Sequence, residues 1–342
     1  MSGAVPGPAA PALDRVLGIE TSCDETAASV VDGGMHMVSS IVSSQIDLHA
    51  RFGGVVPELA GRAHLELITA TVEDALAAAG SGDACAVDAV AATVGPGLIG
   101  SLLVGVSYAK ALAMAWDVPF VGVNHLEAHL FGALLEAGDV AYPLVVELVS
   151  GGHTLLVQME KPGSYTVLGQ TIDDAAGEAF DKVARFLGLG YPGGPAIQAA
   201  AEHGDRQAIA FPRSMIGDGL DCSFSGLKTS VVNYVRRHPE VSNEDVAASF
   251  QEAVVDVLVA KGSRAVVATG ARGWCLAGGV AANALLRERV TAEAAALGVR
   301  ALLPSRAMCT DNAAMVAAAG WWLLGSGMRT PLAAGAEPNL LL

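Results

Sequence analysis

Aromatic residues make up only 5% of this 342-residue chain, and its 20 lysines and arginines face 35 acidic residues. The resulting net charge of -15 argues against a protein that grips nucleic acid through its overall field. Cysteine is also scarce: Cys23, Cys85, Cys222, Cys275 and Cys309 are odd in number, scattered, and form no CxxC pair. That excludes a disulfide framework and fits reduced thiols in a cytosolic protein. Long hydrophobic runs are missing. PGLIGSLLVGVSYA, at 96–109, stops at Lys110 and is too short and glycine-rich to span a bilayer. MSGAVPGPAAPALDR has neither a basic n-region nor an apolar h-region, so it is no secretory signal, and residues 1–14 read as a disordered tail. Neither GxGxxG nor GxxxxGK[ST] occurs, which removes the Rossmann fingerprint and the P-loop.

What the chain has in quantity is alanine, valine and 40 glycines, a composition suited to helices packed closely on parallel strands. Its length is enough for two domains. Two segments read as tight β-hairpins: VLGI and AASVV flank ETSCDET, and LVVELV and TLLVQ flank SGGH. After an insertion, each is followed by a strand, a glycine turn, a helix, a strand and a final helix. The same order occurring twice predicts a duplicated α/β lobe. The boundaries read as an N-terminal lobe at 15–140, a C-terminal lobe with a helical insertion at 141–319, and a segment at 320–342 that returns to the first lobe.

NHLEAHL, after the apolar run VPFVGV, puts His125 and His129 one helical turn apart at a strand-to-helix junction. Taken alone, HxxxH is more often a pair of ordinary polar residues at a helix start. The duplication changes the balance. His125 follows Gly95 by 30 residues, and Asp311 follows Gly278 by 33, so the two helix starts are equivalent positions in the two lobes. In open α/β sheets ligands sit at the strand C-terminal ends, so His125, His129 and Asp311 can meet across a cleft. Two imidazoles and a carboxylate are a donor set for Fe(2+), with Zn(2+) as the alternative.

GPGLIG, SGGH, YPGGP and AGGVAAN are candidate backbone approaches to a phosphate, because glycine lacks the Cβ that blocks close contact. One such loop is usually just a turn; four favour a nucleotide between the lobes. The loop ETSCDET adds Thr21, Ser22, Asp24, Glu25 and Thr26, while IDDAAGEAFDK adds Asp173, Asp174, Glu178 and Asp181. Carboxylates there could hold a metal, receive a ribose hydroxyl or act as a base. For Asp173 and Asp174 a helix-capping role is the preferred reading.

GIETSCDETAASVV, PELAGRAHLE, GPGLIGSLLVGVSYAKALA, NHLEAHL, LVSGGHT, DDAAGEAFDKVARFLGLGYPGGP, FSGLKTSV, AGGVAAN and CTDNAAM follow one another from about residue 15 to 320. In this the chain resembles the tRNA threonylcarbamoyladenosine transferases, once labelled O-sialoglycoprotein endopeptidases, whose bacterial form is TsaD. The resemblance implies the two-lobed actin-like, sugar-kinase-type ATPase fold, with duplicated ribonuclease-H-like lobes. It implies transfer of threonylcarbamoyl from threonylcarbamoyl-adenylate to N6 of the adenine beside the anticodon of tRNA. The family's metal ligands fall on His125, His129 and Asp311. Its adenylate contacts fall on Leu148, Val149, Ser150, Gly151, Gly152, Asp181, Gly194 and Asn283, and a position implicated in activity falls on Glu25. Gln198 stands where some relatives carry an aspartate that touches the ligand. TsaB-like and TsaE-like partner proteins are implied, in the cytoplasm, with no membrane association.

Of three rival readings, two weaken on the residues and the third is separated by an assay. A zincin needs HExxH, whereas Glu127 in HLEAH lies roughly 200° around the helix from both histidines. A nonenzymatic companion of the same fold has no reason to keep the three candidate ligands. A small-molecule kinase of the same fold would phosphorylate a sugar without tRNA. For RNA itself the candidate cation clusters are Arg51 with Arg62 and His64, and Lys228 with Arg236, Arg237 and His238, either of which could equally be a solvated face.

Overall fold

The computed structural model describes residues 14–80 and 87–342; the expected tail, apart from Asp14, and Cys85 lie outside them. The first hairpin is β1 (Arg15–Glu20) and β2 (Glu25–Asp32), extended by a third strand, β3 (His36–Ser44). Helices α1 (Ile46–Ala50) and α2 (Pro57–Ala78) lead to β4 (Ala89–Gly95), α3 (Ile99–Trp116), β5 (Phe120–Asn124) and α4 (His125–Leu135). The second half repeats the plan with β6 (Leu144–Val149), β7 (Thr154–Lys161) and β8 (Ser164–Gln170). An insertion of four helices follows: α5 (Ala176–Leu187), α6 (Gly193–Ala201), α7 (Ser225–Arg237) and α8 (Asn243–Thr269). Then come β9 (Gly273–Ala277), a 3-10 turn at Gly279–Ala282, α9 (Ala284–Leu297), β10 (Arg300–Leu302), α10 (Arg306–Cys309) and α11 (Ala313–Gly325).

The strand orders are β3-β2-β1-β4-β5 and β8-β7-β6-β9-β10. In each sheet the first three strands form an antiparallel meander and the next two join in parallel. The two lobes therefore share one topology, the two-lobed actin-like arrangement. Strands β1 and β6 are mostly apolar because each is central and buried on both faces, with Glu20 at the end of β1 and Glu147 within β6 as buried exceptions. Strand β3 lies at an edge and is correspondingly half exposed.

Helix α11 is apolar all round, and α4 is apolar apart from His125, Glu127 and His129 in its first turns, which suits burial rather than a surface position. They pack together with Val121 and Val123 of β5 and Val146 and Leu148 of β6 in one core between the sheets. Glycine sets that approach. A Cβ at Gly18 would stand 2.2 Å from the Ala313 carbonyl oxygen, so only glycine lets the start of α11 rest on β1. A boundary at 319 falls inside α11. Beyond it, Glu337 N–H donates to the Val94 carbonyl at 2.7 Å and Asn124 Nδ2 donates to the Leu341 carbonyl at 2.8 Å, fastening the C-terminal segment to the first sheet.

Lys110 does not end its apolar stretch, as the sequence reading had it. Helix α3 runs on to Trp116 and has the length and composition of a membrane span, but it packs against β4 and α2. The Lys110 ammonium lies over the Phe120 ring and donates to the Ala334 carbonyl, which satisfies the charge within the protein.

Candidate metal centre and transfer site

Strand β5 delivers the chain to α4, and Asn124 caps the helix by accepting from Leu126 N–H at 2.8 Å and Glu127 N–H at 3.4 Å. That cap makes His125 the first helical residue, with His129 one turn on. Asp311 lies just before α11, in a bend held by Asn312, whose Oδ1 accepts from Met315 N–H and whose Nδ2 donates to the Thr310 carbonyl. Asp311 Oδ1 is 3.2 Å from His129 Nε2 and 3.7 Å from His125 Nε2. One donor atom from each of the three lies within 4.8 Å of the others. Glu127 turns toward Tyr165 instead and is not among them.

Both ring nitrogens of His129 are buried without a hydrogen-bond partner, since Asp311 is close enough for an ion pair but off the hydrogen-bond direction. Leaving such groups unsatisfied costs about 1–3 kcal/mol each. A divalent cation between the three side chains would satisfy the nitrogen that faces Asp311, so the donor set fits a metal.

His125 is oriented from behind by a residue that sequence reasoning missed. Glu20, fully buried at the end of β1, accepts from Ser22 N–H and, at 2.6 Å, from Thr93 Oγ1, and its Oε2 lies 3.0 Å from His125 Nδ1. Holding the proton on Nδ1 leaves Nε2 as the free donor atom toward Asp311. Burial opposes charge on His125, but Asp311 and Glu20 outweigh it and push its pKa up to about 9. Burial likewise opposes charge on Asp311, yet the two histidines hold it down at about 2. The only sequence cue to Glu20 was an acidic residue closing the apolar strand VLGI.

The glycine loops meet at a second point. The Ser150–His153 turn joins β6 to β7, with Ser150 N–H donating to the His153 carbonyl at 2.8 Å. Gly177, in the first turn of α5, sits so near that a Cβ there would be 2.4 Å from the Ser150 carbonyl oxygen. Gly278, at φ +83°, lies against Val149 in the same way. By contrast, a Cβ at Gly151, Gly152, Gly194 or Gly279 would meet nothing within 4 Å. These four line open space and have no packing reason to be glycine. Leu148 and Val149 are wholly buried, backbone included, so neither presents exposed surface to a ligand.

The remaining expected contacts already hold the cradle together. Asp181 Oδ1 accepts from Gly193 N–H at 2.7 Å, joining α5 to α6. Asn283 caps α9 through Leu286 N–H and donates from Nδ2 to Gln251 Oε1 at 2.8 Å. Gln198 Oε1 accepts from Ala284 N–H at 2.8 Å, so this side chain serves the α9 start. His153, a second residue missed from sequence, closes the Ser150 turn and has its pKa lowered by burial and then by the charges of His125 and His129. Glu25, at the start of β2, accepts from Ser44 Oγ at 3.1 Å. Burial first, then the charges of Asp311 and Asp24, raise its pKa to about 9.

Other sequence candidates have structural employment. Asp173 caps a distant helix, α7, by accepting from Phe224 and Ser225 N–H, while Asp174 pairs with Lys182 and Lys228. The expected cation clusters are therefore thinner than their sequence suggests: Lys228 is paired, Arg62 bridges to Glu58, and His64 is buried.

Comparison with known proteins gives the family. Residues 36–318 match the family model described as "TsaD: tRNA N6-adenosine threonylcarbamoyltransferase". The chain belongs to the TsaD family. A relative of that name from Symbiobacterium thermophilum is 52% identical over 328 residues, covering 95% of this chain and 96% of its own. Another from Geobacter sp. (strain M21) is 53% identical over 317 residues, covering 92% of each. Among solved structures, T. kodakarensis HypF superposes with a TM-score of 0.63 at 16% identity, covering 91% of this chain and 48% of HypF. The Acidaminococcus fermentans (R)-2-hydroxyglutaryl-CoA dehydratase component A gives 0.57 at 14%, covering 91% of this chain and 99% of its own. At those identities the likeness is one of fold.

Proposed function

We propose that this protein transfers the threonylcarbamoyl group of threonylcarbamoyl-adenylate to N6 of the adenine 3′-adjacent to the anticodon in tRNAs that read ANN codons. The observation that carries the reading is the buried His129, whose ring nitrogens have no hydrogen-bond partner and which faces Asp311 at 3.2 Å. His125, His129 and Asp311 hold one divalent metal, Fe(2+) or alternatively Zn(2+). When bound, it supplies Lewis-acid polarisation and a template for the carbamoyl or carboxylate oxygens of the substrate. Backbone amides of the 150–152 stretch, with Gly194 and the Asn283 turn, bind the adenylate phosphate. Asp181 keeps Oδ2 for a ribose hydroxyl while Oδ1 holds Gly193.

In the transfer, N6 attacks the carbamoyl carbon, the carbon–oxygen bond to the phosphate breaks, AMP departs, and N6 gives up a proton. Adenylate is already a good leaving group, so the site's work is to orient a weak amine nucleophile and stabilise developing charge. We assign Glu25 as the carboxylate that takes the proton. Burial first, and the Asp311 and Asp24 charges second, keep Glu25 protonated, so it accepts this proton only after giving up its own.

The reaction belongs in the cytoplasm with its tRNA. The chain's charge of -15 opposes a polyanion, so TsaB-like and TsaE-like partners complete the basic surface. The test is a transfer assay with purified adenylate and unmodified tRNA, with and without those partners. Modified adenosine with partners present supports the reading; ATP-dependent phosphorylation of a sugar without tRNA, and no transfer, would replace it with the kinase reading.

A further inference from the structure

Beneath the loop that carries Glu25 lie two buried histidines that no step above uses. His49 and His64 are each 0% exposed, and Gln45, between them, is 4% exposed. Their hydrogen bonds form one chain whose direction can be worked out from both ends. At the far end, Val56 N–H donates to His49 Nδ1 at 3.3 Å, so His49 carries its proton on Nε2. That nitrogen is 3.1 Å from Gln45 Oε1, which can only accept. At the near end, the Cys23 carbonyl lies 3.0 Å from His64 Nε2, and a carbonyl also can only accept, so His64 too carries its proton on Nε2. His64 Nδ1 is then an acceptor, and it faces Thr26 Oγ1 at 2.8 Å and Gln45 Nε2 at 3.3 Å. Both ends demand the same orientation of the Gln45 amide. Its Nε2 also donates to the Ala60 carbonyl at 3.5 Å, as that orientation requires.

The chain ends on the backbone of the reactive loop. Besides the His64 bond to the Cys23 carbonyl, Gln45 N–H donates to the next carbonyl, that of Asp24, at 3.0 Å. Ser101 Oγ adds a longer bond to the Cys23 carbonyl at 3.4 Å. The two carbonyls immediately before Glu25 are thus held from one side, while Ser44 Oγ holds the Glu25 carboxylate itself. A satisfied buried network of this kind rigidifies whatever it ends on.

We propose that His64, oriented by Gln45 and His49, is a positioning residue for transfer: its Nε2–H fixes the Cys23 carbonyl and so aims the Glu25 carboxylate. This rests on the transferase reading given above and on Glu25 as the base. It separates two roles that a packing histidine would combine. Asparagine at 64 can place an acceptor where Nδ1 stands but offers no donor to Cys23. Glutamine can place a donor where Nε2 stands.

The experiment compares His64→Asn and His64→Gln in the full chain, with kcat, the KM for threonylcarbamoyl-adenylate, metal content and Tm measured together. His64→Asn should lower kcat by about 100-fold, the cost of a small misplacement in the reacting geometry, with KM and metal content unchanged. His64→Gln should recover most of that loss. Independently of any variant, the ring-nitrogen chemical shifts of labelled wild-type protein should show both His49 and His64 protonated on Nε2. Equal losses of kcat that follow Tm in both variants, full activity in His64→Asn, or an Nδ1-protonated His64 would each overturn the proposal. No transfer by the wild type with its partners would instead overturn the transferase reading.

Discussion

Glu20 illustrates how a single residue sets the chemistry of another. Its carboxylate is fully buried, and it is tolerable there because Ser22, Thr93 and His125 all direct hydrogens or a positive ring at it. Partners behind a metal-ligating histidine typically govern about 10–100-fold in metal affinity. Glu20→Ala should weaken divalent-metal binding by that factor in equilibrium dialysis; unchanged affinity in a folded variant would remove Glu20 from the account. At Gly151 and Gly279 the space is open, so a side chain there costs the fold little. Adenylate at about 100 times its Kd should stabilise wild type by about 2.7 kcal/mol, read as a rise in Tm. Gly151→Val or Gly279→Val should abolish that rise while leaving the ligand-free Tm near wild type. A full rise in both variants would mean that the nucleotide lies elsewhere. The histidines and Asp311 were legible in the sequence because helical spacing is a local pattern and the lobe duplication repeats a recognisable order of elements. Glu20 was not, because its partners Thr93 and His125 lie 73 and 105 residues away in the chain.

At the scale of elements, the hairpins and the βα units were legible from apolar runs, glycine turns and the repeated order of elements. The third strand of each meander was not singled out, because β3 and β8 are edge strands whose mixed exposure weakens the alternation. Asp173 was read as a helix-start residue, but the helix it serves, α7, was not legible, since the α7 start reaches it only through tertiary packing. Strand β6 holds an element-level feature that invites a test. Glu147 is fully buried with Trp274 Nε1 donating to it at 3.1 Å, and burial pushes its pKa up to about 8 from an ordinary 4.5. Between those values the folded chain binds a proton that the unfolded chain has released, so stability falls as pH rises from 4.5 to 8. Glu147→Gln keeps an acceptor for Trp274 and removes the ionisation. Its Tm should exceed that of wild type most at pH 8, with the gap closing toward pH 4.5. A gap that does not change with pH would show that Glu147 does not carry the proton.

For the whole molecule, charge and duplication pull on the same question. The two lobes bring their equivalent helix starts together, and this produces the triad; the excess of acidic over basic residues leaves little attraction for tRNA. The isolated chain should therefore bind tRNA weakly. Affinity should rise on adding TsaB-like and TsaE-like partners and fall steeply with salt in that complex. Replacing Arg51 and Arg62 together should weaken tRNA binding without touching adenylate binding; the Arg62–Glu58 pair is exposed and holds Arg62 only loosely. Tight, salt-resistant binding by the chain alone would show the charge argument to be wrong. The central claim is that transfer occurs at the triad between the lobes. Its most direct test is single-turnover transfer from preformed threonylcarbamoyl-adenylate to unmodified tRNA, comparing metal-loaded wild type with the His125→Ala/Asp311→Ala variant at equal folded fraction. The account predicts a loss of about 1000-fold, corresponding to several kcal/mol of charge stabilisation, together with loss of the metal. Transfer at the wild-type rate by a variant that has lost its metal would contradict it.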